Sequence, residues 1–151
     1  MGKVNSSLER MNGHRVYIDT NVFIYFLDRN PEFFPLVSPL IKAVDSGTII
    51  GVTGDAAIAE TLVKPYRTGN PELVASIREF FRTEGFLSIQ PHDGETFDLA
   101  AQLRATRGMK FIDALHYATA LRSGCDFFVT NDTGIQSDQF LEIIPLASLK
   151  D

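Results

Sequence analysis

Four carboxylates, Asp19, Glu60, Asp113 and Asp132, carry the chemical possibilities of this chain. Asp19 is set into the apolar run Val16-Tyr17-Ile18-Asp19-Thr20-Asn21-Val22-Phe23-Ile24-Tyr25-Phe26, directly after β-branched and aromatic residues that read as a short buried strand. Asp132 comes two residues after Phe127-Phe128-Val129-Thr130, a second such strand. Acids make up 19 of the 151 residues, so a single acid after a single strand proves little. Two acids that follow two strands of a parallel sheet, however, share its carboxyl edge, where open α/β sheets bind ligands. Glu60 falls in the helix after the second strand, and Asp113 in the first turn of the helix before the Phe127 strand. All four can therefore meet at one rim. Asp19 taken alone has an ordinary use as well, as an N-cap or turn residue satisfied by backbone N–H groups.

If the acids do meet, they need a partner. Two like charges about 4 Å apart repel by about 1 kcal/mol in bulk water and about 4 kcal/mol at an effective dielectric of 20. A divalent cation resolves that conflict, and an all-oxygen donor set suits Mg²⁺ or Mn²⁺. His14, His92 and His116 form no zinc pattern with Cys125. His116, three residues after Asp113, can share its face; a half-buried histidine with an ordinary hydrogen bond is the simpler reading.

The elements that must position these groups alternate between strand-length apolar pieces and helical patterns, the sign of βαβ units and a parallel sheet. A helix over residues 22–27 is capped by Thr20 or Asn21, and a second runs from about residue 36 until Gly47 stops it. A strand at residues 48–52 leads to a helix with Thr53 or Asp55 as cap, continuing to Pro65. Asn70-Pro71-Glu72 opens a helix to about Thr83: an N-cap, a proline at the first helical position, then an acid. A strand at residues 86–89, helices from Asp93 or Thr96 to Arg107 and over residues 111–123, and a last strand at residues 141–144 complete the pattern. Asp113 then stands where the helix macrodipole favours negative charge.

At 151 residues the chain is one domain of ordinary size, with no need of a disulfide or structural metal. Residues 1–13 form a polar leader expected to fray before a domain at residues 14–151. Its first residues match the loose M-G-x-x-x-[ST] myristoylation pattern, a match too short to carry weight. No secretory signal, membrane-length apolar run or internal repeat is present. The lone Cys125 reads as core and suits a reducing compartment, the cytoplasm. The formal net charge of −5 gives no support to nucleic-acid binding, so any such surface must be local.

Four blocks in sequence resemble a PIN domain: Tyr17-Ile18-Asp19-Thr20-Asn21, Glu60 within Ala57-Ile58-Ala59-Glu60-Thr61-Leu62-Val63-Lys64-Pro65, Asp113 within Phe111-Ile112-Asp113-Ala114-Leu115, and Phe128-Val129-Thr130-Asn131-Asp132. Their order and spacing span nearly the whole chain, and the resemblance is strongest to VapC-like toxins, although the leader before His14 is longer than many of these carry. The resemblance implies an α/β fold, a three-layer α/β/α sandwich around a mostly parallel sheet of about five strands. It also implies a Mg²⁺- or Mn²⁺-dependent ribonuclease paired with a small antitoxin; a homodimer is a separate expectation. On the same ground Asp19, Glu60, Asp113 and Asp132 are the metal-binding acids, with Thr130 and Asn21 in support. Lys64, Arg67, Arg104, Arg107 and Lys110 are candidate contacts for RNA phosphates, or else solvated helix ends. The segment Pro31-Glu32-Phe33-Phe34-Pro35 is expected to face an antitoxin or a second copy, or to close the core.

Other classes fit less well. A haloacid-dehalogenase-like phosphatase requires an aspartate where Asn21 stands, and a receiver domain requires an acidic pair after the first strand. A non-catalytic RNA-binding or interaction module on the same fold is the better rival. Four acids at one rim argue against it, because an inert module gains nothing from their repulsion.

Overall fold

The structure, a computed structural model, describes residues 6–150; Met1 and Gly2 of the myristoylation pattern lie outside them. Five parallel strands, β1 (Arg15–Ile18), β2 (Ile50–Gly54), β3 (Leu87–Gln90), β4 (Phe127–Thr130) and β5 (Glu142–Pro145), form one sheet in the order β3-β2-β1-β4-β5. Seven helices belong to the same described region: α1 (Ser7–Arg10), α2 (Thr20–Leu27), α3 (Phe34–Asp45), α4 (Ala56–Arg67), α5 (Pro71–Arg82), α6 (Gly94–Arg107) and α7 (Phe111–Arg122). A 3₁₀ turn, Leu146–Lys150, follows the last strand.

Alternation along the strands divides the core in two and makes the molecule a three-layer α/β/α sandwich. Val16 and Ile18 point to one face, with Phe127 and Val129, and pack with residues of α2, α3 and α5 such as Phe23, Leu40 and Phe81. Tyr17 and Phe128 point to the other and pack with Ala114, Leu115 and Ala118 of α7 and Leu103 of α6. The chain builds β1, β2 and β3 outward in one direction, then returns to lay β4 on the free side of β1. The strand order therefore reverses between β1 and β4, and a crevice opens at their carboxyl ends.

The helix starts follow local chemistry. Asn70 accepts from the Leu73 N–H at 3.1 Å with Pro71 behind it, and Asp93 accepts from the Thr96 N–H at 3.0 Å. Gly108 closes α6 in the left-handed conformation, φ 65°, which turns the chain at once into α7. Two expectations need correction. The helix through Glu60 does not stop at Pro65 but runs to Arg67: Pro65 is buried within it, and α4 as a whole packs on α2 and α5. Part of the polar leader is ordered: Ser6 caps α1, Met11 is fully buried in the core, and Arg10 grips Glu142 of β5 at 2.7 Å. The Phe33-Phe34 segment rests its rings on α2, in keeping with the core-closing alternative. Phe33 stacks on Tyr25 with ring centroids 4.4 Å apart and Phe34 on Phe26 at 5.5 Å, so both rings are half-buried.

Candidate active site

Asp19 is the first residue beyond the β1 ladder, and its N–H still bonds the Val129 carbonyl of β4 at 3.0 Å. It is itself the N-cap of α2, accepting from the Thr20 N–H at 2.8 Å, so the helix begins earlier than its apolar residues suggest. The cap role and the rim position are thus held by one side chain. The Thr130 hydroxyl at the end of β4 donates to Asp19 Oδ2 at 2.6 Å and accepts from the Asp132 N–H at 2.9 Å, which ties the two strand ends together. Asn21 reaches the same group through longer contacts: its amide donates to Asp19 at 3.5 Å and to Thr130 at 3.4 Å, and its oxygen accepts from the Asn131 N–H at 3.3 Å. Asp19 is 7% exposed, and burial raises its pKa against the opposing pull of the Thr130 hydrogen bond.

Asp113, the third residue of α7, reaches this crevice from the other layer. Its carboxyl is pushed up to about 6, first by burial, then by the charge and hydrogen bond of Asp132 and by the charge of Asp19, with Lys110 acting in the opposite sense. A carboxyl that shares a hydrogen bond with another carboxylate keeps a proton that water would remove. Glu60, from the second turn of α4, faces different neighbours. His116 Nε2 lies 2.7 Å from its Oε1, and the Thr20 hydroxyl donates to the same oxygen at 2.6 Å. Burial pushes Glu60 up, but these hydrogen bonds outweigh it and hold the carboxyl below its ordinary value.

The acids therefore approach one rim as two linked groups. Asp19, Asp113 and Asp132 stand at the β1/β4 crevice, and Glu60 stands beside it, with Asp19 near enough to feel its charge. As placed, no three His, Cys, Asp or Glu side chains among the described residues enclose a cation. The donor chemistry nonetheless fits one. All four groups are carboxylates, an all-oxygen set that suits Mg²⁺ or Mn²⁺, and the crowding that raises the Asp113 pKa is what a cation would relieve.

The profile of the PIN domain family matches residues 16–138, from the first core residue of β1 to the loop before β5. The chain belongs to the PIN domain family. This PIN domain is similar in fold to three solved structures. Mycobacterium tuberculosis VapC20, described as a toxin that cleaves the sarcin-ricin loop, aligns with a TM-score of 0.62 at 11% identity, over 75% of this chain and 86% of that one. VapBC2 from Rickettsia felis, bound to a DNA fragment from its promoter, aligns at 0.66 and 16% identity, over 87% and 98%. FitAB bound to an IR36 DNA fragment aligns at 0.51 and 18% identity, over 87% and 94%. No curated protein sequence matches the chain.

The remaining candidates of this PIN domain fall out unevenly. Lys110 precedes Asp113 by three residues and acts on its charge. Arg107, a candidate phosphate contact or else a solvated helix end, is paired with Asp138 at 2.8 Å and lies over the Tyr117 ring. Arg104 bonds the Met109 carbonyl at 3.3 Å and covers Phe111. Lys64 pairs with Asp28 at 3.6 Å, and it and Arg67 lie about 6 and about 10 Å beyond Glu60 along α4. Cys125 is core, as its sequence context indicates: burial pushes its thiol up to about 12. His116 is fully rather than half buried, at 2% exposure, and it touches Glu60 instead of Asp113. The i, i+3 spacing from Asp113 marks it as a neighbour of the rim, but nothing in the sequence pairs it with Glu60, Thr20 and Tyr17.

Proposed function

We propose that this PIN domain is a Mg²⁺- or Mn²⁺-dependent endoribonuclease that hydrolyses RNA phosphodiester bonds, the toxin of a type II toxin-antitoxin pair. The observation that carries the reading is the crowding of Asp113 with Asp132 and Asp19 at the strand switch point, a concentration of negative charge that a cation would relieve. Asp19 and Asp113 would grip the principal ion, with Glu60 and Asp132 completing the set, partly through water. Bound there, a divalent cation lowers the pKa of water and neutralises charge building on the phosphate.

The chain's own groups do the positioning. Thr130 and the α2 N-terminus hold Asp19 with its oxygens fixed, and Asn21 braces the loop that carries Asp132. Lys110 offers the nearest free cation to a flanking phosphate, ahead of Lys64 and Arg67, while Arg107 would first have to leave Asp138. A small antitoxin and a second copy of the chain are the proposed partners. Among the described residues no helix is long and apolar enough to cross a membrane, and a reducing cytoplasm is the proposed compartment.

The test is cleavage of end-labelled single-stranded RNA and DNA with Mg²⁺, Mn²⁺ or EDTA. Metal-dependent cutting of RNA, lost in Asp19→Asn and in Asp113→Asn, is the expected result. Binding without cutting, or cutting that survives both substitutions, overturns it.

A further inference from the structure

Beneath Glu60 lies a buried relay of three polar side chains. His116 Nε2 is 2.7 Å from Glu60 Oε1, and the other ring nitrogen, Nδ1, is 2.5 Å from the hydroxyl of Tyr17, which is fully buried in β1. The Thr20 hydroxyl donates to Oε1 from the first residue of α2. With the imidazole neutral, its partners assign the hydrogens. A carboxylate only accepts, so the hydrogen between Glu60 and His116 sits on Nε2. Nδ1 then presents a lone pair, and the Tyr17 O–H fills it.

The relay loads one oxygen of Glu60 and spares the other. His116 and Thr20 both donate to Oε1, and among the described residues no group donates to Oε2. A carboxylate clamped through one oxygen cannot rotate freely, and its second oxygen has a fixed direction. We propose that Tyr17 and His116 are positioning residues which, with Thr20, turn Glu60 so that Oε1 is held by the protein and Oε2 remains for a divalent cation. This rests on reading Glu60 as a metal-binding acid. The same geometry explains Gly54: a Cβ there would lie 2.8 Å from the Tyr17 hydroxyl and 2.2 Å from the His92 ring, so β2 must be bare at the point where the relay passes.

Mn²⁺ affinity, measured on the full chain by titration calorimetry or electron paramagnetic resonance, tests the proposal beside histidine ¹⁵N spectra of the metal-free protein. His116→Leu removes the donor and is expected to weaken Mn²⁺ binding about 10- to 100-fold. His116→Gln places an amide N–H near the Nε2 position and is expected to restore binding to within about threefold. Tyr17→Phe leaves Nδ1 without its donor and the ring less restrained; it is expected to keep the Nε2–H tautomer that Glu60 imposes and to weaken Mn²⁺ severalfold. A wild-type His116 that carries its hydrogen on Nδ1 overturns the proposal even if the leucine variant does not fold. So does wild-type Mn²⁺ affinity in folded His116→Leu or Tyr17→Phe while Glu60→Gln has lost it; the reading of Glu60 then stands and only the relay fails. Wild-type Mn²⁺ affinity in Glu60→Gln sinks that reading itself.

Discussion

The α4 side of the rim holds Glu60 between two donors, so its negative charge is answered by the protein; the α7 side leaves Asp113 against Asp132 and Asp19, with only Lys110 in opposition. One carboxyl is pulled below its ordinary value and the other driven above it, at the same edge of the same sheet. Environment, not residue type, divides the work: Glu60 is prepared in advance, whereas the ionised form of Asp113 is opposed by its neighbours and a cation would relieve that opposition. A stability argument follows. The Asp113 arrangement costs the folded protein something that the Glu60 arrangement does not, and a bound ion returns it.

The largest effect expected from this contrast is on activity. Asp113→Asn and Asp19→Asn should each lower RNA cleavage about a thousandfold, since a divalent ion contributes several kcal/mol of charge stabilisation to phosphoryl chemistry. Rates within tenfold of wild type would break the comparison at its active side. On the other side, Gly54→Ala forces a methyl group into the Tyr17 and His92 rings and should cost about 1 to 3 kcal/mol in denaturant unfolding. A variant as stable as wild type would mean that the buried relay under Glu60 has slack.

The pH dependence of metal-free stability gives a smaller and sharper test. Asp113 titrates at about 6 in the folded chain against 3.8 as its ordinary value, so the folded state binds the proton more tightly. Its contribution is fully present below about 3.8 and is lost as pH rises through about 6. Asp113→Asn should therefore be more stable than wild type at pH 8 by about 1 kcal/mol, a figure reduced because water screens a half-exposed carboxyl. The advantage should vanish near pH 4, and Mg²⁺ at pH 8 should reverse it by stabilising wild type alone. The smallest effect concerns the cations. Lys110→Ala should reduce the salt slope of RNA binding by about 0.7, the value for one phosphate contact on a single strand, and Arg107→Ala should leave it nearly unchanged. Equal slopes for the two would erase the distinction drawn between a free and a paired cation.

Much of this was legible in the residues themselves. The Asn70-Pro71 start, the Gly108 stop and the Phe127-to-Thr130 strand are local devices, in which neighbours along the chain supply the caps, the turn and the apolar face. Pro65 misleads because its local veto on helix does not hold here, where it lies buried within α4. Met11 misleads because eleven largely polar residues give no sign that one of them fills the core.

By itself the sequence determined the βαβ alternation, the placing of Asp19 and Asp132 after their strands, and an all-oxygen set of acids, since each depends on periodicity or on residue type. Only the tertiary structure decided which partner each acid has. The Tyr17 to His116 contact spans 99 residues and the Thr130 to Asp19 contact 111, and hydrogen bonds between such distant segments exist only once the sheet and helices have closed on one another. Charge is written in the chain, but whether that charge is answered or left exposed to its neighbours depends on distances that folding alone sets.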